Sequence, residues 1–352
     1  MLSMTRRIQL PILLYALSSL PFAGCDRNPA PGGSGTAPDG AKRLRIAVIP
    51  KGTTHEFWKS IHAGAVKAER EINAEGGGVT VQVEWKGPQK EDDRSQQIQV
   101  VQNFIAAGVQ GIVLAPLDDR ALLNPVRDAG KAGIPVVIFD SGLQGEVGKD
   151  FVAYVSTDNY KGGVLGAKRL GEALGGKGKA ILLRYAEGSA STMEREQGFL
   201  DTLKKEHPGI ELLSSDLYGG ATTETSYKTS QNLLTRFRDQ VEGIFTPNES
   251  TSFGMLRALK DAGLAGKVKL VGFDASEALV KAMKEGEIQG LVLQNPIRMG
   301  YLGVKTLVDH VRGKPLAERT IDTGAVIVTP ENMDTPEMRA LHTPDLTEWL
   351  GR

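Results

Sequence analysis

The sequence predicts an α/β fold made of two doubly wound parallel-sheet lobes. From Leu44 onward, short apolar runs alternate with segments of helical period, the pattern of β-α units whose helices cover both faces of a parallel sheet. About a dozen strands are expected, more than one open, twisted sheet comfortably holds. The pattern also roughly doubles after residue 156, which favours two lobes over a closed eight-strand barrel.

The chain opens with Arg6 and Arg7, an apolar stretch from Leu10 to Leu20 and the small residues Ala23 and Gly24. That stretch is well short of the roughly 20 residues of a spanning helix, so residues 1–24 read as an export signal. Pro21-Phe22-Ala23-Gly24-Cys25 resembles the lipobox of bacterial lipoproteins, which usually has Leu at the place of Phe22. The resemblance makes Cys25 the lipidated residue, and Asp26 beside it resembles an inner-membrane retention signal. Residues 26–43 are rich in Pro, Gly and small polar side chains and cannot bury apolar area, so 25–43 is expected to be a flexible tether.

The run LRIAVI (44–49) is a strand, and Ile61, Ala65, Ala68 and Ile72 then fall on one helix face. In VTVQVEW (79–85), Val79, Val81, Val83 and Trp85 share one side of a strand, and Ile98, Val101 and Ile105 return to the helical period. Further strands are expected at 111–115, 135–139, 151–155, 180–185, 210–215, 241–246, 269–273 and 288–293, mostly separated by helices. From Thr335 onward only Leu346 and Trp349 suggest packing, as a short terminal helix.

Composition excludes several classes. The 352 residues carry 42 Lys+Arg against 42 Asp+Glu, and the mean hydropathy is −0.20. With zero formal net charge and no long basic run, nothing attracts a phosphate backbone, so nucleic acid is not an expected partner. A single cysteine permits no internal disulfide and no Cys-based zinc cluster. The scattered histidines offer no metal-ligand spacing, and GGKGKA (175–180) precedes a strand, the wrong orientation for cradling phosphate. The carboxylate pairs Asp92-Asp93 and Asp118-Asp119 read as solvated loop or helix-start residues.

In open parallel sheets, ligands bind beyond the carboxyl ends of the strands, where the loops converge. The residues found there are Lys51, Asp140, Glu187, Asn248, Asp274 and Gln294. All are hydrogen-bonding, although Asp and Asn are also ordinary helix caps, and Asp274 has that alternative reading. Phe57 and Trp58 follow the first strand, either packing into the core or stacking on a ligand face, with His55 beside them.

Together these stretches resemble the type I periplasmic binding proteins of sugar ABC transporters, closest in pattern to the ribose-binding members. The resemblance spans about 44–330 and is carried by LRIAVIPKGTTHEFWKSIHAGA, GVQGIVLAPLDDRALLNPVRDAGKAGIPVVIFDS, STMEREQGF, QNLL, GIFTPNESTSFGMLRALKDAG, LVGFDAS and LVLQNPIRMGYLGVKTL in that order. It implies ligand-facing aromatics at Phe57 and Trp58 and a polar neighbour at His55. It also implies ligand contacts at Asp140, Arg195, Asn248, Asp274 and Gln294, and a lysine used by some relatives at Lys51. The resemblance puts Ser141 where ribose binders have arginine and His55 where they have an amide, which counts against ribose itself as the ligand.

The resemblance further implies a three-crossover hinge near Ser156-Thr157, Gln294-Asn295 and Asp322-Thr323. One lobe would then comprise 44–156 plus 295–322 and the other 157–294 plus 323–334, leaving 335–352 as a tail. The expected function is capture of a small neutral sugar or polyol between the lobes, without catalysis, cofactor or metal, and its delivery to the permease subunits of an ABC importer. The protein is expected to be a periplasmic or otherwise extracytoplasmic monomer held to the membrane through Cys25. A sensory receptor for a chemotaxis or two-component partner would use the same closure, and a sugar-acting enzyme on this fold is a third reading. A repressor would need a DNA-binding helix-turn-helix ahead of the body, where this chain has a signal and spacer.

Overall fold

The computed structural model describes residues 42–76 and 78–351. The export signal, Cys25 and nearly all of the tether lie outside them. No helix among the described residues is long and apolar enough to cross a membrane.

In chain order the first part runs β1 (Lys42–Ile49), α1 (Glu56–Glu75), β2 (Val79–Trp85), α2 (Arg94–Ala106), β3 (Gly111–Leu114), α3 (Leu123–Lys131), β4 (Val136–Phe139) and β5 (Ala153–Ser156). The second runs α4 (Asn159–Ala173), β6 (Lys177–Leu182), α5 (Ala190–Glu206), β7 (Gly209–Ser214), α6 (Thr223–Phe237), β8 (Gly243–Phe245), α7 (Glu249–Asp261), β9 (Lys269–Phe273), α8 (Glu277–Lys284) and β10 (Gly290–Gln294). The chain ends with α9 (Pro296–Val311), β11 (Thr320–Asp322), β12 (Ala325–Val328), α10 (Pro336–His342) and α11 (Thr347–Leu350).

The strands form two sheets, ordered β11-β5-β4-β3-β1-β2 and β12-β10-β9-β8-β6-β7. The two-lobed α/β architecture read from the alternation is therefore present. All pairs in the first sheet are parallel, whereas β12 runs antiparallel to β10 at the edge of the second. β1 starts at Lys42 instead of Leu44, because Lys42 joins the ladder opposite Val79. β6 occupies 177–182 instead of 180–185, which leaves Tyr185 in the loop beyond the strand.

Each sheet is buried on both faces. In β1, Ile46 and Val48 pack with Ile61, Ala65, Ala68 and Ile72 of α1, while Ala47 and Ile49 pack with Val100, Val101 and Phe104 of α2 on the opposite side. This is the period-2 alternation of a doubly covered strand. In the second sheet, Ile181 and Leu182 divide in the same way between two cores.

Helix pairs with facing glycines stiffen the lobes. A Cβ on Gly163 of α4 would overlap the carbonyl oxygen of Arg195 in α5, and one on Gly198 of α5 would overlap that of Tyr160. These glycines let the two backbones touch, which fixes the height at which α5 presents Arg195.

The chain passes from the first sheet to the second after β5, back after β10, and across again between β11 and β12. Side chains tie these passages together. The Thr157 hydroxyl donates to Gln294 Oε1 at 2.9 Å, and Asp322 Oδ1 accepts the N–H of Asp158 at 3.0 Å and of Gly324 at 2.8 Å.

Asp118 and Asp119 are buried instead of solvated. Asp118 accepts the N–H groups of Arg120 and Ala121 and pairs with Arg94, and Asp119 accepts from Gln144. Their loop closes against the other lobe, where the Asp119 N–H donates to the Gly188 carbonyl at 2.8 Å.

Candidate functional site

The strand ends of both sheets face one cleft, and two of them have the same unusual backbone. Asp140 follows β4 and Asp274 follows β9, with φ of 64° and 65°. These are the left-handed non-glycine residues among the described ones, and Asp tolerates that region better than most side chains. Each N–H donates to the neighbouring strand, Asp140 to Val155 O at 3.0 Å and Asp274 to Val292 O at 2.8 Å. The kink turns both carboxylates into the cleft instead of along the sheet.

Lys51, His55, Phe57, Trp58, Asp140, Arg195, Asn248, Asp274 and Gln294 all line a single cavity of about 30 Å³. Glu187 does not, and it is exposed in the loop between β6 and α5. The cavity is also lined by Glu91, Tyr185, Ser191, Thr192 and Glu249, which inspection of the strand ends does not find. Glu91 lies in the loop after β2 rather than at the strand end. Tyr185 falls inside the strand expected at 180–185, and Glu249 sits one residue past the strand-end position Asn248, in the first turn of α7.

Six of the charged groups in the cavity form three pairs. Lys51 Nζ lies 3.4 Å from Asp140, His55 Nδ1 lies 2.6 Å from Glu91, and Arg195 Nη1 lies 4.0 Å from Asp274. The Arg195 guanidinium stacks 3.9 Å over the Phe273 ring, donates to Asn159 Oδ1 at 2.8 Å and donates to Pro247 O at 2.9 Å. Gln294 donates to Asp274 Oδ1 at 2.7 Å, linking the hinge directly to the cleft. Asp274 caps no helix of its own, because Ser276 is the N-cap of α8. Asn248 does both, forming a capping box with Thr251 at the start of α7 while lining the cavity.

Glu91 is the hub on the other side. It accepts from the Trp58 indole N–H at 2.6 Å and from the Tyr185 hydroxyl at 2.5 Å, besides pairing with His55. Trp58 is thereby held edge-on to Phe57, with ring centroids 5.1 Å apart, and it is buried in the core, whereas Phe57 is half-buried.

Burial opposes the imidazolium of His55, but the adjacent Glu91 carboxylate, with Glu249 and Asp274, outweighs it and raises the pKa to about 9. Glu91 is held down at about 2, its burial cost overcome by His55, Tyr185 and Lys51. Burial raises Asp140 and Asp274 against the pull of Lys51 and Arg195, and it pushes Glu249 up to about 7.

Hydrogen bonds between the lobes explain the small volume. Lys51 Nζ donates to Ser189 Oγ at 3.2 Å and Ser191 Oγ at 3.1 Å, and the Ser191 N–H donates to Ser141 Oγ at 3.2 Å. The cation beside Asp140 comes from Lys51. Among the described residues, no group of His, Cys, Asp and Glu is arranged to hold a metal ion.

A periplasmic binding protein domain matches residues 46–315, most of the chain. The chain belongs to this family. It is 28% identical over 294 residues to the D-ribose/D-allose-binding protein of Pseudomonas aeruginosa, covering 82% of this chain and 89% of the relative. It is 29% identical over 284 residues to a ribose import binding protein of Salmonella typhimurium, covering 80% and 90%. Among solved structures it resembles a carbohydrate transporter solute-binding protein from Agrobacterium radiobacter in complex with D-arabinose, with 33% identity, a TM-score of 0.78 and coverage of 85% of this chain and 98% of that one. An ABC transporter solute-binding protein from Agrobacterium vitis with bound D-fucose gives 34% identity, a TM-score of 0.78 and coverage of 85% and 99%. As a type I periplasmic binding protein, the chain shares the two-lobed form of these relatives.

Proposed function

We propose that this protein captures a small neutral sugar or polyol between its lobes and delivers it to the permease of an ABC importer, catalysing no reaction. The observation that carries the reading is the pairing of charges in the cleft, with Lys51, His55 and Arg195 set against Asp140, Glu91 and Asp274. Such a site offers donors and acceptors without a large unpaired charge, which suits hydroxyl groups better than phosphate. Phe57 supplies an apolar ring at the cavity wall, a surface against which the C–H patches of a sugar pack. A relative named for ribose and allose, and similar structures with D-arabinose and D-fucose bound, support the ligand class.

Ligand pockets commonly measure about 300–1,000 Å³, so a cavity of about 30 Å³ corresponds to closed lobes that must part to admit a ring. We assign ligand contact to Lys51, His55, Phe57, Trp58, Asp140, Arg195, Asn248, Asp274 and Gln294, with Glu91 and Tyr185 added. The passages after Ser156, after Gln294 and after Asp322 would serve as the hinge between the two lobes. We assign Cys25 as the lipid-bearing residue that keeps the protein at the membrane in the periplasm.

A thermal-shift panel of pentoses, hexoses, polyols, sugar phosphates, nucleosides and amino acids tests the class. A ligand at 100 times its dissociation constant adds about 2.7 kcal/mol of native stability. Shifts with neutral sugars or polyols are expected, and a response confined to phosphates, nucleosides or amino acids would refute the assignment.

A further inference from the structure

The tail beyond β12 makes a fourth passage between the lobes. Helix α10 belongs to the second lobe: Met338 is buried in its core with Met333 and Leu341 packs against that core, while His342 Nε2 lies 2.9 Å from the Met333 carbonyl oxygen. Six residues later the chain has reached the first lobe. The Arg70 guanidinium on α1 donates to the carbonyl oxygens of Glu348 at 2.6 Å and Trp349 at 3.2 Å. Lys67 and Arg70 also sit over the Trp349 ring, 5.7 and 5.6 Å from its centroid.

Between these anchors, Leu341, Thr343, Pro344 and Leu346 form one wall of a cavity of about 530 Å³. Its other walls come from Phe57 and Ser60 of the first lobe, from the loop after β9 and α8 of the second, and from the hinge residues Gln294 and Pro296. A segment fixed to both rigid bodies and spanning open space beside the hinge cannot follow both lobes when they separate. The anchors differ in strength. The α10 anchor is core packing, whereas the α11 contact is made at the surface through Arg70, which is exposed, so α11 is the end that gives way. This segment lies outside the residues matched by the family domain.

We propose that residues 336–350 form a strap across the hinge that limits how far the lobes open, with the Trp349 contact to Lys67 and Arg70 as its releasable end. The strap narrows the range of open conformations, so the binding-competent closed form is a larger fraction of the ligand-free protein.

The test is small-angle scattering of the ligand-free full chain for the parent, Arg70→Gln, Trp349→Ala and Trp349→Phe. A larger radius of gyration is expected for Arg70→Gln and Trp349→Ala, with Trp349→Phe close to the parent because its ring keeps the cation–π contact. Arg70→Gln changes one exposed side chain and serves as the readout if Trp349→Ala unfolds. Parent-like dimensions in Arg70→Gln and every folded Trp349→Ala sample would overturn the proposal. The scattering needs no ligand, so its outcome is independent of the sugar assignment. For whichever of D-ribose, D-allose, D-arabinose or D-fucose binds the parent, the dissociation constant should rise about two- to fivefold in Trp349→Ala, the equivalent of an exposed cation–π contact. An unchanged constant in a folded variant also counts against the strap.

Discussion

The carboxylate of Glu249 in one lobe accepts the backbone N–H of Phe57 in the other at 3.1 Å, and its second oxygen accepts the N–H of Glu56 at 3.3 Å. These are orphan donors of the first turn of α1. The N-cap residue His55 turns its ring to Glu91 and gives the helix no side-chain cap. The positive end of α1 is therefore capped from across the cleft, and only when the lobes are together. Closure thus satisfies backbone donors beside the ring proposed to meet the ligand.

Glu249→Gln removes the charge and keeps one acceptor oxygen. Charge at a helix N-terminus contributes about 0.3–1 kcal/mol when exposed and more when partly buried. Affinity for the sugar that gives the largest thermal shift should fall about fivefold in titration calorimetry, mainly through faster release. An unchanged affinity would mean that this cap contributes nothing to closure.

Asp274 joins Arg195, the hinge residue Gln294 and the Glu249 N–H. Its replacement by alanine removes a charged acceptor worth about 1.5–3 kcal/mol per bond to a ligand. Asp274→Ala should weaken binding by roughly one to two decades. Asp274→Asn keeps the left-handed backbone accessible and separates loss of charge from backbone strain. Wild-type affinity in both variants would remove Asp274 from the ligand contacts.

Gly163 lies where any Cβ would meet the carbonyl of Arg195. Gly163→Ala should therefore push α4 from α5, costing about 1–3 kcal/mol in denaturant unfolding, and should lower affinity by displacing Arg195. Gly130, beside which a Cβ meets nothing within 4 Å, is the control, and Gly130→Ala should leave affinity unchanged. Equal effects of the two substitutions would refute the role of close helix contact.

His55 and Glu91 predict a pH profile. The folded pKa of His55, about 9, is above its ordinary 6.5. The folded state therefore binds more protons between these values, and the contribution of His55, complete below about 6.5, is lost as pH rises through 9. Glu91 is depressed from 4.5 to about 2, so its contribution is present above 4.5 and lost as pH falls through 2. Glu249, raised to about 7 by burial, also makes stability fall between about 4.5 and 7, as its charged form is penalised. Thermal unfolding should show stability declining between pH 6.5 and 9, and His55→Gln should flatten that limb. A persistent decline in the variant would assign it to another group.

Eight of the nine residues that line the cavity lie at or just beyond a strand's carboxyl end or in the first turn of the helix that follows, and parallel strands carry those ends to the same edge; Arg195, well inside α5, was implied only by the family resemblance. That rule reaches only residues at the expected ends. It missed Glu91, set back in the loop after β2, and Tyr185, which leaves the strand because β6 ends at Leu182. It admitted Glu187, which the turn after β6 carries to the surface. Asp118 and Asp119 read as solvated because adjacent carboxylates usually are, and their burial depends on backbone donors and on Gly188 from the other lobe.

By itself, the sequence determined the alternation of strands and helices, the doubling into two lobes and the identity of the groups at the strand ends, since periodicity and turn chemistry act over a few residues. Tertiary structure alone decided which charges are paired, which helix end is capped by its opposite lobe and where the tail is anchored. Those relationships join residues such as Tyr185 and Glu91, 94 positions apart, or Phe57 and Glu249, 192 apart. They depend on how the two lobes are oriented against each other, a relation that no local pattern encodes.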